Sequence, residues 1–125
     1  MRLSALTLIV PSYGEGIAFF CDTMGFELTE DIDQGHKRWV RVTPSGGGGG
    51  FILAEPGNAQ QRAAIGQQGA GRVWLFLETD DFATAHARLE AANVHFEETP
   101  RIEPYGTVAV FRDPFGNRWD LIQFT

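Results

Sequence analysis

The sequence predicts an α+β fold built from two βαβββ modules, and three observations carry that prediction. Leu8-Ile9-Val10-Pro11-Ser12 leads into a helical stretch that ends at Met24-Gly25-Phe26. Leu75-Phe76-Leu77-Glu78-Thr79 leads into a second such stretch that ends at Ala92-Asn93-Val94, and the offset that carries Ser12 onto Thr79 aligns the preceding strands without a gap. Self-similarity at a fixed offset is the signature of a duplicated supersecondary unit. Each half then continues with three short segments of strand character separated by turn residues. The chain reads as one domain of 125 residues, with module one at 1–56, a linker at 57–70 and module two at 71–125.

In the first module, residues 3–10 form a strand with Leu6, Leu8 and Val10 on one face and Ala5, Thr7 and Ile9 on the other. Ser12 starts a helix, with Glu15 at capping-box spacing and the apolar stripe Ile17, Phe20, Cys21 and Met24. Gly25 supplies the left-handed residue that ends it. Residues 27–33 and 37–43 form a hairpin turning at Gln34-Gly35; in its second strand Val40 and Val42 alternate with Trp39 and Arg41. The glycines 46–50 make a flexible tip before the strand 51–55. The linker has little pattern beyond a helical turn around residues 60–65.

The second module opens with residues 72–78, where Val73, Leu75 and Leu77 share one face and Arg72, Trp74, Phe76 and Glu78 the other. Thr79 caps a helix striped by Phe82, Ala85, Leu89 and Ala92, with Asp80 and Asp81 at its positive end. Asn93 stands where the first module has Gly25, and Asn is the next-best left-handed residue. Residues 94–97 are a short strand and 100–105 a loop. Residues 107–112 and 118–125 form a closing hairpin around the turn Asp113-Pro114-Phe115-Gly116-Asn117. A module of this kind covers one sheet face with its helix and leaves the other for a partner or a ligand.

Composition narrows the function classes. A net charge of −6 disfavours nucleic acid and anionic membrane surfaces and favours neutral or cationic small molecules. No apolar run approaches a membrane span, no leader pattern opens the chain, and the single cysteine, Cys21, cannot form an internal disulfide. A cytoplasmic location is expected, with Cys21 as a packing residue. His36, His86 and His95 match no metal motif in their spacing, and the glycine run lacks the Lys-Ser/Thr of a phosphate loop.

The repeated βαβββ order, Met24-Gly25-Phe26, Leu77-Glu78-Thr79-Asp80-Asp81 and the closing Asp113-Pro114-Phe115-Gly116-Asn117-Arg118-Trp119-Asp120-Leu121-Ile122 resemble the vicinal oxygen chelate superfamily, across essentially the whole chain. That group includes glyoxalase I, extradiol dioxygenases, fosfomycin-resistance enzymes and bleomycin-resistance proteins. The resemblance implies a curved mixed sheet, an open barrel around a cavity with helices outside. It also implies a homodimer. In metal-dependent members, the first and last strands of each module supply His and Glu ligands to a divalent ion. Those positions fall here on Ala5, on Arg72, around residues 50–52 and on Asp120. One donor out of four positions argues against a metal, so no cofactor is expected, and a divalent ion is retained only as the alternative.

Alternation then places Ala5, Thr7, Trp39, Arg41, Arg72, Trp74, Phe76, Ala109, Phe111, Arg118 and Asp120 on the cavity faces, with Tyr105 at the rim. Apolar walls with sparse polar anchors describe a small-molecule pocket, unless the aromatics fill it. Arg72 is expected to pair with Asp120 where the metal would sit. The leading expectation is a metal-independent small-molecule binder similar to bleomycin-resistance proteins. One alternative is a glyoxalase-like lyase, isomerase or dioxygenase using an off-pattern metal or acid–base work by Asp120, Tyr105 or His95. The other is a structural or partner-binding domain.

Overall fold

The fold, given by a computed structural model that describes residues 1–125, divides into two compact units, Met1–Ala63 and Ala64–Thr125. The division falls inside the expected linker. The first unit contains β1 (Ala5–Ile9), α1 (Tyr13–Ile17), β2 (Glu27–Asp33), β3 (Arg38–Thr43), β4 (Gly50–Ala54) and α2 (Ala59–Ala63). Its strands form one sheet in the order β1-β4-β3-β2, with β1 parallel to β4 and the other pairs antiparallel. The second contains β5 (Val73–Glu78), α3 (Phe82–Ala91), β6 (His95–Phe96), β7 (Arg101–Glu103), β8 (Gly106–Arg112) and β9 (Arg118–Phe124). Its sheet runs β5-β9-β8-β6, with β7 also on β8 and β5 parallel to β9. The two topologies repeat as the sequence predicts, and neither sheet closes on itself. No helix is long and apolar enough to cross a membrane.

In the first unit Ser12 caps α1, its Oγ accepting the Glu15 N–H at 3.2 Å and donating to the Glu15 carboxylate at 2.8 Å. The helix then widens into a π-helical turn over Ala18–Thr23, where the Met24 N–H reaches back to the Phe19 carbonyl. That turn corrects the expected stripe. The extra residue lets Phe19 and Phe20 both face the sheet, joined by Tyr13 and Gly16, while Ile17, Cys21 and Met24 stay only half-buried. Phe20 packs on Phe26 and Phe51 with centroids at 5.5 and 5.1 Å. Gly16 leaves room for this packing, because an added Cβ would lie 2.8 Å from Leu53 Cδ1 and that side chain would have to shift. Leu8, Val10, Val40, Val42 and Leu53 complete this core.

In the second unit the helix begins later than expected. Asp81, not Thr79, is the cap, because its carboxylate accepts both the N–H and the hydroxyl of Thr84. Thr79 Oγ instead accepts the Asp81 N–H one step earlier. Asn93 adopts φ 62°, matching Gly25 at φ 78° in the first unit. A second correction is β7, in the stretch expected to be a loop; its three residues lie between Pro100 and Pro104, which mask a strand pattern this short.

The closing turn holds itself together through one buried carboxylate. Asp113 Oδ1 accepts the backbone N–H groups of Phe115 and Asn117, and Oδ2 accepts Asn117 Nδ2 and Trp119 Nε1, all between 2.9 and 3.0 Å. A buried carboxylate is tolerated when its oxygens are filled in this way. The last of these bonds ties the turn to the core, where Trp119 stacks on Phe111. Asp113→Ala removes the acceptor of four donors and is expected to lower the unfolding free energy by about 3 kcal/mol. Urea denaturation measures it, and a loss under about 1 kcal/mol would contradict the carboxylate's role.

Candidate functional site

Register and burial sort each sheet into a helix-covered face and an open one. In the first unit, β1, β3 and β4 turn Leu8, Val40, Val42, Phe51 and Leu53 toward α1. The alternating residues Ala5, Thr7, Trp39, Arg41 and Ile52 share the other face and are half-buried or exposed. Ile32 pairs with Trp39 there, and Glu30 pairs with Arg41 across a bulge in β2. Arg41 extends Nη2 to the carbonyl and hydroxyl of Ser4 at 2.9 and 3.1 Å, which fixes the guanidinium over this face. Ala5, Thr7, Trp39 and Arg41 thus share one face of the first sheet.

In the second unit Phe76 pairs with Asp120 across the parallel β5–β9 ladder, so the two share the open face. Phe76 is 67% exposed, an unusual state for a phenylalanine inside a strand. Val110 pairs with Asp120 and Val108 with Ile122, extending that face onto β8, and β7 adds Arg101 opposite Val108. Val108, Val110 and Ile122 are themselves buried, so the exposed part of the face lies at Phe76. Arg101 binds Glu98 and Glu103, each at 2.8 Å, and the nearby Tyr105 hydroxyl also favours its charged form. These bonds raise the Arg101 pKa still further above its ordinary value. Burial pushes the Glu98 carboxyl up, but the bonds from Arg101 and from the Val110 N–H outweigh it and leave its pKa lowered. Tyr105 and Asp120 therefore border one polar network that the sequence reading did not assemble, because its centre lies on the unrecognised β7.

Two expectations fail here. Phe111 is fully buried on the helix-covered face, stacked on Trp119 at 5.7 Å and flanked by Phe96 at 5.6 Å. The antiparallel register sets Phe111 opposite Trp119 and Val110 opposite Asp120, so Phe111 and Asp120 cannot share a face. Ala109, opposite Leu121, goes with Phe111. Alternation had been counted along each strand separately, without carrying the parity through the turn between them.

The Arg72–Asp120 pair is also not formed. The β5–β9 ladder opens at Val73–Arg118 with a bulge before Leu75, which leaves Arg72 in the preceding turn with its N–H on the Gly69 carbonyl. Trp74 is the extra residue of that bulge, and its side chain lies against Gly69. Asp120 instead sits near Arg101, Glu98 and Arg118, and its Oδ1 is buried without a hydrogen bond. Burial raises its pKa, an effect that the nearby arginines only partly offset.

The remaining candidates are accounted for by packing. His86, on α3, lies between Phe82 and Phe96 and faces Glu90 at 3.2 Å, while His36 and His95 are exposed. Burial, followed by the charge of Asp22, raises the pKa of the Cys21 thiol, the opposite of what a nucleophile needs. At the family's ligand positions, Ala5 pairs with Gly50 in the β1–β4 ladder, and Asp120 is the one side chain with a metal donor. No three His, Cys, Asp or Glu side chains cluster as a metal ion would require.

The sequence profile of the Glyoxalase/Bleomycin resistance protein/Dioxygenase superfamily matches residues 2–121. The chain belongs to that superfamily. It is 43% identical over 121 residues to an uncharacterized protein of Shewanella frigidimarina, covering 94% of this chain and 90% of that one. Among solved structures it is similar to UcmS2, with TM-score 0.82 and 30% identity over 98% of this chain and 97% of that one. It is also similar to TnmS3, an antibiotic binding protein from Streptomyces sp. CB03234, with TM-score 0.80 and 27% identity over 100% and 97% of the two chains.

The raised Asp120 pKa gives a pH signature for this superfamily member. Between the unfolded carboxyl value, about pH 4, and the higher folded value, the folded chain holds the extra proton. Asp120 therefore costs stability as pH rises through that window. Asp120→Asn is expected to melt higher than the parent at pH 7, with the difference closing below about pH 4. Melting curves across pH check this; a variant that melts lower at pH 7 would show that the carboxylate is held by a favourable partner.

Proposed function

We propose that this protein binds a small, largely apolar or aromatic molecule on the open sheet faces, without a divalent ion at the family's chelating position. The observation that carries the proposal is the open face of the second sheet. There an exposed Phe76 sits beside Asp120, whose Oδ1 is unpartnered, and the Arg101–Glu98–Tyr105 network borders them. Apolar surface with a few oriented polar groups is the composition of a ligand site. Trp39, Thr7 and Arg41 present a second surface of the same kind in the first unit. The likeness to the antibiotic binding protein TnmS3 supports this class of ligand.

The donor set argues for a metal-free mode. Alanine, arginine and the Gly50–Ile52 segment replace three of the four ligating positions, and one carboxylate cannot hold a divalent ion alone. Binding then rests on burial of aromatic surface, with Asp120 as the polar anchor of the second unit's face and Arg41 as that of the first unit's, each taken by itself. The superfamily resemblance extends the proposal to a homodimer acting in the cytoplasm.

A thermal-shift screen of cationic drugs, thiol conjugates and aromatic metabolites, with and without EDTA, tests the reading. Stabilisation by at least one ligand that survives EDTA supports it, whereas stoichiometric zinc, nickel, iron or manganese in the purified protein would overturn it. Phe76 is exposed, so Phe76→Ala should leave melting unchanged yet weaken binding of such a ligand about tenfold, the effect of losing one buried aromatic contact. Isothermal titration calorimetry measures that ratio, and an unchanged affinity would remove Phe76 from the site.

A further inference from the structure

The second unit contains a small cavity of about 20 Å³ whose chemistry differs from that of the open face. One wall is the glycine-rich turn that precedes β5, with Gly66, Gly69 and Gly71; the other is the closing hairpin, with Arg112, Gly116 and Arg118. Arg72 and Trp74 also line it. The walls approach so closely that two of the glycines have no substitute. A Cβ on Gly66, already at φ 73°, would collide with the Phe115 carbonyl, and one on Gly69 would lie 2.5 Å from Trp74 Cβ.

The cavity concentrates positive charge in a chain whose net charge is −6. Arg118 pairs with Glu97 at 2.8 Å and donates to the Gly71 carbonyl at 3.0 Å. Arg112 lies 3.5 Å from the same Glu97 and donates to the Gly116 carbonyl. Its backbone N–H aside, Arg72 has no partner: the guanidinium makes no ion pair or hydrogen bond. Glu97 thus serves two guanidinium groups, and Arg118 also lies near Glu98 and Asp120. The Asp113 carboxylate behind the turn is filled by its own four donors, which leaves the Arg72 guanidinium without a carboxylate.

We propose that this cavity binds an oxyanion, the carboxylate or phosphate group of a small molecule, with the unpaired Arg72 as its principal charge and Arg112 and Arg118 as the flanking cationic wall. A single water needs about 10–15 Å³ of such space, so the cavity admits one or two oxygens and leaves the rest of the group at its mouth. A guanidinium presents its donors as a fork that matches two such oxygens. Trp74 offers a flat apolar surface beside the anion for the body of the ligand. The inference does not rest on ligand binding at the open faces.

Titration of ¹⁵N-labelled protein with sodium phosphate and, separately, sodium acetate, at ionic strength held constant with sodium chloride, tests it by NMR. Saturable shifts are expected at the Gly66, Gly69 and Gly71 amides and the Trp74 indole with at least one of the two. Saturation by phosphate alone assigns a phosphate group, and saturation by acetate alone a carboxylate. Arg72→Ala should weaken the dissociation constant about fivefold, as expected for one exposed charge contact, and Arg72→Lys should restore part of it. Arg72 is exposed and unpartnered, so both variants are expected to keep the parent melting temperature. Shifts no larger than those chloride produces, or a constant unchanged in Arg72→Ala, would overturn the proposal.

Discussion

Each sheet in this protein has one substantial helix to cover it, and that constraint governs the rest. A four- or five-stranded sheet has two faces, and a single helix can dehydrate only one of them. The sequence answers by placing much of its buried apolar surface on the helix-covered side: Leu8, Val40, Phe51 and Leu53 in one unit, Leu75, Phe111, Trp119 and Leu121 in the other. On the other side Val108, Val110 and Ile122 are also buried, and the exposed residues there, Phe76 above all, are not needed for the helix-packed core and are available for function. The exposed Phe76 and the hydrogen-bond-poor Asp120 carry a cost in the free protein that binding a ligand would relieve.

The same constraint explains why charge is distributed as it is in the second unit. Glu97, Glu98, Arg101, Glu103, Arg112 and Arg118 do not scatter over the surface but interlock through ion pairs between 2.8 and 3.5 Å. Half-exposed pairs of this kind contribute little to stability individually. Their value is positional, because they fix guanidinium and carboxylate groups around Asp120 and along the β8–β9 hairpin. The Asp113-centred turn holds the two strands of that hairpin in the register that sets which residues face which way.

The architecture was legible in the sequence because it depends on short-range signals that the duplication states twice. The Ser12 cap, the left-handed Gly25 and Asn93, the Gln34-Gly35 hairpin and the parity of β1 and β3 all appear where local chemistry puts them. What sequence reasoning missed depends on longer-range geometry. The π-helical turn follows from how Phe19 and Phe20 both reach the sheet, and nothing in the spacing of the stripe announces it. The bulge at Trp74 ends the ladder one residue short of Arg72, which breaks the expected pair with Asp120. Phe111 was misplaced because its face is set across the hairpin by Trp119 and not by its own strand. A parity count carried through Asp113–Asn117 would have found it. The Arg101 network was hidden because its strand is three residues long and bounded by prolines.

The central claim, that the faces left open by the helices bind a small molecule without a metal ion, is tested most directly by NMR on metal-stripped protein. Aromatic side-chain signals would be followed during titration with a ligand that stabilises the protein against heat. Saturable shifts are expected at Phe76, at Trp39 or at both, with Phe19, Phe20, Phe111 and Trp119 on the helix-covered faces little changed, and no requirement for added metal. Shifts confined to the helix-covered residues, or binding that appears only when a divalent ion is restored, would contradict it.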